Sequence, residues 1–139
     1  MTETKNSPFQ YTTPQLFAFD YHANPDFCEQ KWTIKINHQK EILRISQNKA
    51  RVILHMNIFN EGEGDLFTVQ FSILSNFRWE NIGEEIINSL LNRTAPSLLL
   101  GYARPIISMF TNSSGMGSYN IPLIDFTNDP ILDTKYDKG

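Results

Sequence analysis

Apolar residues alternate with polar ones along the first half of the chain and recur at helical spacing along much of the second. Phe9, Tyr11, Phe17, Phe19 and Tyr21 occupy odd positions, the period of a strand with one buried face, and Pro14 interrupts them, which predicts an edge position or a bulge there. Residues 22–31 break the alternation, and Asn24-Pro25 marks a loop that still carries Phe27. Trp32, Ile34 and Ile36 restart a strand on even positions. Residues 37–41 are polar, and Leu43 and Ile45 then lie on odd positions, a change of phase that predicts one long bent strand with a bulge or tight turn inside it. After a turn at residues 47–49, Val52, Leu54, Met56 and Ile58 share a face, and residues 60–65 read as a hairpin loop. The cleanest strand follows. Phe67, Val69, Phe71, Ile73, Phe77 and Trp79 face one way, while Thr68, Gln70, Ser72, Asn76 and Arg78 face the other, so the sheet is solvated on one side and hence antiparallel.

The period then changes. Ile82, Ile86, Ile87, Leu90 and Leu91 describe a short amphipathic helix, and a longer one follows, with Thr94 able to cap it and Pro96 tolerated in its first turn. With Leu99 at the centre, Ala95, Tyr102, Ala103, Ile106, Met109 and Phe110 make one stripe, and Leu98, Leu100 and Ile107 widen it to roughly 200°, against the roughly 100° that a surface helix needs. Only Ser97, Gly101, Arg104, Ser108 and Thr111 form a polar arc. Such a helix covers a sheet with one flank and needs a second cover: a loop of its own chain or, as the preferred expectation, another subunit. Pro105 removes a backbone donor, which predicts a kink, and residues 113–115 end the helix. An extended apolar tail completes the pattern through Phe126. Strands first and helices after indicate an α+β fold: a four-stranded antiparallel sheet, then a short helix and a long kinked helix packed on one face.

Bulk properties narrow the function without naming it. The 139 residues, 40% of them hydrophobic, suffice for one domain with a single core, with residues 1–8 and 128–139 expected as flexible tails. A formal net charge of −3 with no basic run argues against a nucleic-acid groove. No apolar leader and no long apolar run stand in the sequence, so a cytoplasmic protein without membrane insertion is expected. The single Cys28 allows no internal disulfide and suits a reducing compartment.

Candidate chemistry is sparse. His22, His38, His55 and Cys28 lack metal-ligand spacing, with His38 in a polar turn and His55 on the solvated face of a strand. Cys28 follows His22 on one loop, with Asp20 and Asp26 near, yet a small apolar filler explains it better than a nucleophile. Glu61 with Glu63, and Glu84 with Glu85, fall in a turn and at a helix start, where solvated charge is their ordinary role. Gly62-Glu63-Gly64 is hairpin chemistry and not a phosphate loop. Neither catalysis, nor a metal, nor a cofactor is expected. What remains is apolar surface: Phe27 and Trp32 beside a loop, and Ile121, Leu123, Ile124 and Phe126 in the tail. These residues either seal the edge of the core or line a groove for extended apolar peptide.

The run Ala95-Pro96, Leu98-Leu99, Tyr102-Ala103-Arg104 and Ile107-Ser108, then a glycine-containing turn, then Asn120-Ile121-Pro122-Leu123-Ile124-Asp125-Phe126, resembles the SecB family of protein-export chaperones. Order and spacing together carry the likeness, over roughly residues 9–126. The resemblance implies an antiparallel sheet backed by helices, assembled as a dimer of dimers through the long helix and the sheet edges. It also implies a chaperone that holds unfolded preproteins and passes them to the SecA motor. The matching peptide-groove positions are Phe27, Trp32, Ile121, Leu123 and Phe126, and the wide helix face places Leu98, Leu100, Ile107 and Phe110 at the oligomer interface. In that family the motor is met by acidic residues on the solvated sheet face. Asp20 matches one of them, while Leu16 and Gln70 stand where two others would be, so peptide holding is expected ahead of hand-over to SecA.

Three readings compete: a SecB-like holdase without chemical turnover, a dedicated interaction module on the same fold guarding one partner such as an antitoxin, and a small hotdog-like enzyme. Hotdog chains place their central helix between early strands, and here it follows every strand, which counts against the enzyme.

Overall fold

The computed structural model describes residues 7–24, 33–61, 67–113 and 119–127. Five strands form one antiparallel sheet: β1 (Phe9–Tyr11), β2 (Gln15–Ala23), β3 (Thr33–Ser46), β4 (Lys49–Glu61) and β5 (Phe67–Trp79). The fold is α+β, as the sequence predicts, with one strand more. Both β1 and β2 pair with the outer side of β5, so what reads as one interrupted strand is two short ones in a single row, separated at Pro14 where an N–H is missing. Across the sheet the order continues from β5 to β4 to β3.

Alternation decides which face is buried. Val52, Leu54, Met56 and Ile58 of β4 and Phe67, Val69, Phe71, Ile73, Phe77 and Trp79 of β5 all face the core, as expected from the pattern. Ser75 is the polar exception on that face, and its hydroxyl donates to the Thr12 carbonyl across 2.5 Å. The register places these residues in rows, Leu54 beside Ile73 and Met56 beside Phe71.

β3 corrects the expected bulge. Its pairing with β4 runs unbroken from Thr33 opposite Glu61 to Arg44 opposite Ala50, with a shift only between Arg44 and Ser46. The even phase of Ile34 and Ile36 passes straight through His38 and Lys40 to Ile42. His38 therefore lies on the core side of a strand instead of in a turn, with its ring edge-on to Phe126 at 5.2 Å.

The second half is one helical rod instead of two capped helices. α1 (Glu84–Ser89) begins at Gly83, in extended conformation, and carries Glu84 and Glu85 at its positive end. Asn81, with φ 55°, turns the chain from β5 toward it. A π-helical turn (Leu90–Thr94) then leads without interruption into α2 (Ala95–Ser113), so Thr94 caps nothing. Pro105 lies inside α2, which stays helical through it. Arg44 ties α1 to the end of the sheet: it forks onto Glu84 at 3.2 and 3.3 Å, reaches Asn88 at 2.8 Å and lies over the Trp79 ring. α2 buries Ala95, Pro96, Leu99, Leu100, Ala103, Ile107 and Thr111 against the sheet and the tail.

Candidate functional site

The wide apolar arc of α2 is covered on one flank and open on the other. Residues 119–126, with neither helix nor strand, form the cover. They run back along α2, antiparallel to it. The Tyr119 amide donates to Thr111 Oγ1 at 2.7 Å, Arg104 Nε donates to the Ile121 carbonyl at 2.7 Å, and Lys40 Nζ donates to the Phe126 carbonyl at 2.7 Å. Tyr119 meets the Phe67 ring at 5.9 Å, and burial raises its phenol above the ordinary tyrosine value. Ile121 and Phe126 are buried in the core, Ile124 is half-buried, and Leu123 is 83% exposed. Past Phe126, Thr127 donates to Asp125 Oδ1 through both its hydroxyl and its amide, and these bonds hold the Asp125 carboxyl below the usual carboxylate range.

This geometry divides the expected peptide-groove residues. Leu123 is available to a ligand. Ile121 and Phe126 are filled by the chain's own packing, because the tail turns them inward. Phe27 and Trp32 lie outside the described residues.

The expected interface residues divide in the same way. Leu100 and Ile107 are already buried within this chain, because the sheet and the tail claim that side of the helix. Leu98 is half-buried. Phe110 is partly exposed and packs on Phe19 of β2, with ring centroids 4.7 Å apart. The open flank comprises Leu98, Tyr102, Met109 and Phe110, and it continues onto the sheet edge at Tyr11 of β1, whose hydroxyl meets that of Tyr102 in a hydrogen bond. This hydrogen bond, joined by repulsion between the two groups when charged, raises the Tyr11 phenol above its ordinary value.

On the opposite, solvated face of the sheet lies a shallow polar trough lined by Asp20, Asn37, Gln39, His55, Asn57, Gln70 and Ser72. Asp20 pairs with His22 at 2.9 Å, both largely exposed, and stands opposite Gln70. Glu41 pairs with His55, whose other ring nitrogen meets Ser72 Oγ at 2.7 Å. Leu16 does not share this face; it packs against the core. Among the described residues no cluster of His, Cys, Asp and Glu is arranged to hold a metal ion, and no helix is long and apolar enough to cross a membrane.

Lys40, Arg104 and Thr111, the residues that grip the tail, are absent from the sequence-based candidates. For Lys40 a signal existed, since Ile42 keeps the even phase of Ile34 and Ile36 and so turns the residues between them inward. For Arg104 and Thr111, members of the polar arc, only the three-dimensional path of the tail reveals a role.

The sequence decides the family. The model of the family described as preprotein translocase subunit SecB matches residues 12–128. The chain belongs to the SecB family. The SecB-like chaperone Rv1957 of Mycobacterium tuberculosis, solved in complex with a ChAD peptide from the Rv1956 HigA1 antitoxin, is similar in fold, with a TM-score of 0.69 at 13% identity over 84% of this chain and 91% of that one. A protein of unknown function from Streptococcus agalactiae gives a TM-score of 0.44 at 10% identity over 82% of this chain and 96% of that one. No curated protein sequence matches the chain. The sheet, the long helix following it and the extended tail described above are thus this chain's version of the SecB fold.

Proposed function

We propose that this protein is a SecB-like chaperone that holds unfolded or extended apolar polypeptide, as in protein export, and carries out no chemical turnover. Membership of the SecB family carries the reading. Two features of the chain support it: Leu123 stands exposed on a tail that buries Ile121 and Phe126, and the open flank of α2 leaves Tyr102, Met109 and Phe110 to a partner. The protein works as a cytoplasmic homo-oligomer, a tetramer built as a dimer of dimers, with the open α2 flank and the β1/β2 edge in its contacts. The client site includes Leu123 together with Phe27 and Trp32.

A second reading, a module that guards one partner such as an antitoxin, is favoured by a specific observation. On the solvated sheet face each described carboxylate is matched with a histidine, Asp20 with His22 and Glu41 with His55, and amides line the rest of the trough. That is a poor match for a motor contact built on free carboxylates, so hand-over to SecA through Asp20 is not part of the main proposal. The similar M. tuberculosis chaperone, solved with an antitoxin peptide, supports this alternative as well.

One experiment separates the two. The purified protein, near stoichiometric amounts, is tested for its ability to keep a slow-folding reduced polypeptide from aggregating, with light-scattering mass measured alongside. Suppression by a tetramer-sized species supports the general holdase, and Leu123→Ser should weaken it while leaving the fold intact. No suppression by a stable oligomer rejects the general holdase in favour of the single-partner module.

A further inference from the structure

We infer that the channel between α2 and β3 filled by residues 121–126 is a client site, and that the tail is its resident competitor: an extended polypeptide binds by displacing this segment. The inference rests on the chaperone reading and adds a second client position, distinct from the surface contact at Leu123, which a client reaches only by expelling the tail.

The way the tail is held carries the argument. Its three described anchoring hydrogen bonds join its main chain to side chains, with Thr111 Oγ1 accepting from the Tyr119 amide and Arg104 and Lys40 donating to the Ile121 and Phe126 carbonyls. These grips read groups that every polypeptide carries, so they transfer to another chain without regard to its sequence. The apolar part is equally undemanding. Ile121 and Phe126 are buried and Ile124 is half-buried against the core, while Pro122, Leu123 and Asp125 between them are exposed. A client segment with large apolar side chains at the first, fourth and sixth of six positions reproduces that pattern.

Lys40 makes the exchange possible without stranding a charge. It is 1% exposed, and besides the Phe126 carbonyl it donates to the Asn92 carbonyl at 2.7 Å. When the tail leaves, the ammonium keeps Asn92, and a client carbonyl can take the vacated place. The client is thus an extended polypeptide, recognised through its carbonyls and its apolar side chains, and its apparent affinity is reduced by the fraction of time that the tail is home.

The test locks the tail. In the full chain carrying Cys28→Ser, Thr111→Cys and Tyr119→Cys, oxidation should tether the tail to α2. The probe is a fluorescein-labelled, reduced and carboxymethylated polypeptide that cannot refold. The oxidised protein is expected to bind it about tenfold or more weakly than the reduced protein. Equal affinity in the two states, with binding by the wild-type chain intact, overturns the competition and leaves the chaperone reading standing. Absence of binding by the wild-type chain overturns the chaperone reading and this inference with it. A measurement on the unmutated chain covers the case in which the triple variant fails to fold: saturating probe should move the Ile121 methyl resonances to positions outside the core environment, and resonances that stay in place overturn the proposal.

Discussion

Lys40 Nζ stands 2.7 Å from the carbonyl oxygen of Asn92, four residues before Pro96, which has no N–H to offer that carbonyl. A lysine from the sheet thus donates to a carbonyl that Pro96 cannot serve, at the π-helical turn where α1 passes into α2. The same ammonium holds the Phe126 carbonyl, so one side chain joins β3, the helical rod and the tail. Lys40→Met keeps most of the apolar length and removes the donor. It should destabilise the fold by about 2–3 kcal/mol, the cost of leaving one buried and one part-buried carbonyl without this partner. A urea titration reads this as a lower midpoint with unchanged slope; an unchanged midpoint would show that the clasp contributes nothing.

This clasp also marks where the sequence stops being legible. The core rows of β4 and β5 follow directly from alternation, because a sheet with one wet face repeats every two residues without exception over long strands. In β3 the same rule holds, but a buried lysine and a half-buried histidine carry it, and residue type then conceals periodicity. The helical rod hides its continuity for a related reason. Thr94 and Pro96 are start signals, and here a π turn and a lysine donor replace the break that they announce. The two flanks of α2 could not be told apart from the arc alone. Leu100 and Ile107 are as greasy as Tyr102 and Met109, and the path of the tail decides which pair is covered. Leu123 could be separated from Ile121 and Phe126 only once Arg104 and Lys40 were seen to fix the tail's facing.

Gly101 lies mid-helix in α2, exposed, and a Cβ added to it would meet nothing within 4 Å. Nothing about its surroundings requires glycine, so Gly101→Ala should stabilise the chain by about 0.5–1 kcal/mol through the smaller loss of backbone freedom on folding. Thermal unfolding at matched protein concentration checks the sign. A destabilised variant would indicate that this surface is approached closely by another copy of the chain.

The Tyr11–Tyr102 hydrogen bond makes a prediction in pH. It raises the Tyr11 phenol above its ordinary value of 10.0. A phenol whose folded value is raised adds stability that is fully present below 10.0 and is lost as pH climbs through the folded value, so the contact persists across the neutral range and fails only in alkali. Tyr102→Phe should return Tyr11 toward the ordinary value. Ring carbon shifts of Tyr11 followed by NMR against pH measure this directly, and identical titrations in the two proteins would refute the contact.

Met109 and Ile107 lie two residues apart on α2 and should respond to the same substitution in opposite ways. Met109 is 63% exposed on the open flank, whereas Ile107 is buried between the sheet and the tail. Ile107→Asp places a carboxylate among apolar side chains with no partner and should cost more than about 4 kcal/mol, enough to unfold a marginal domain. Loss of the oligomer in that variant would say nothing about the interface. Met109→Asp leaves the monomer core untouched, and its effect on the isolated fold should stay within about 0.5 kcal/mol. If the open flank joins subunits, the same change puts a charge into an apolar contact and lowers the particle mass while the circular dichroism spectrum and thermal midpoint of the dissociated form stay those of a folded chain. Light-scattering mass of wild type and Met109→Asp at equal concentration decides the point. A folded variant with the wild-type multimeric mass would exclude the α2 flank and move the subunit contact to the sheet edges.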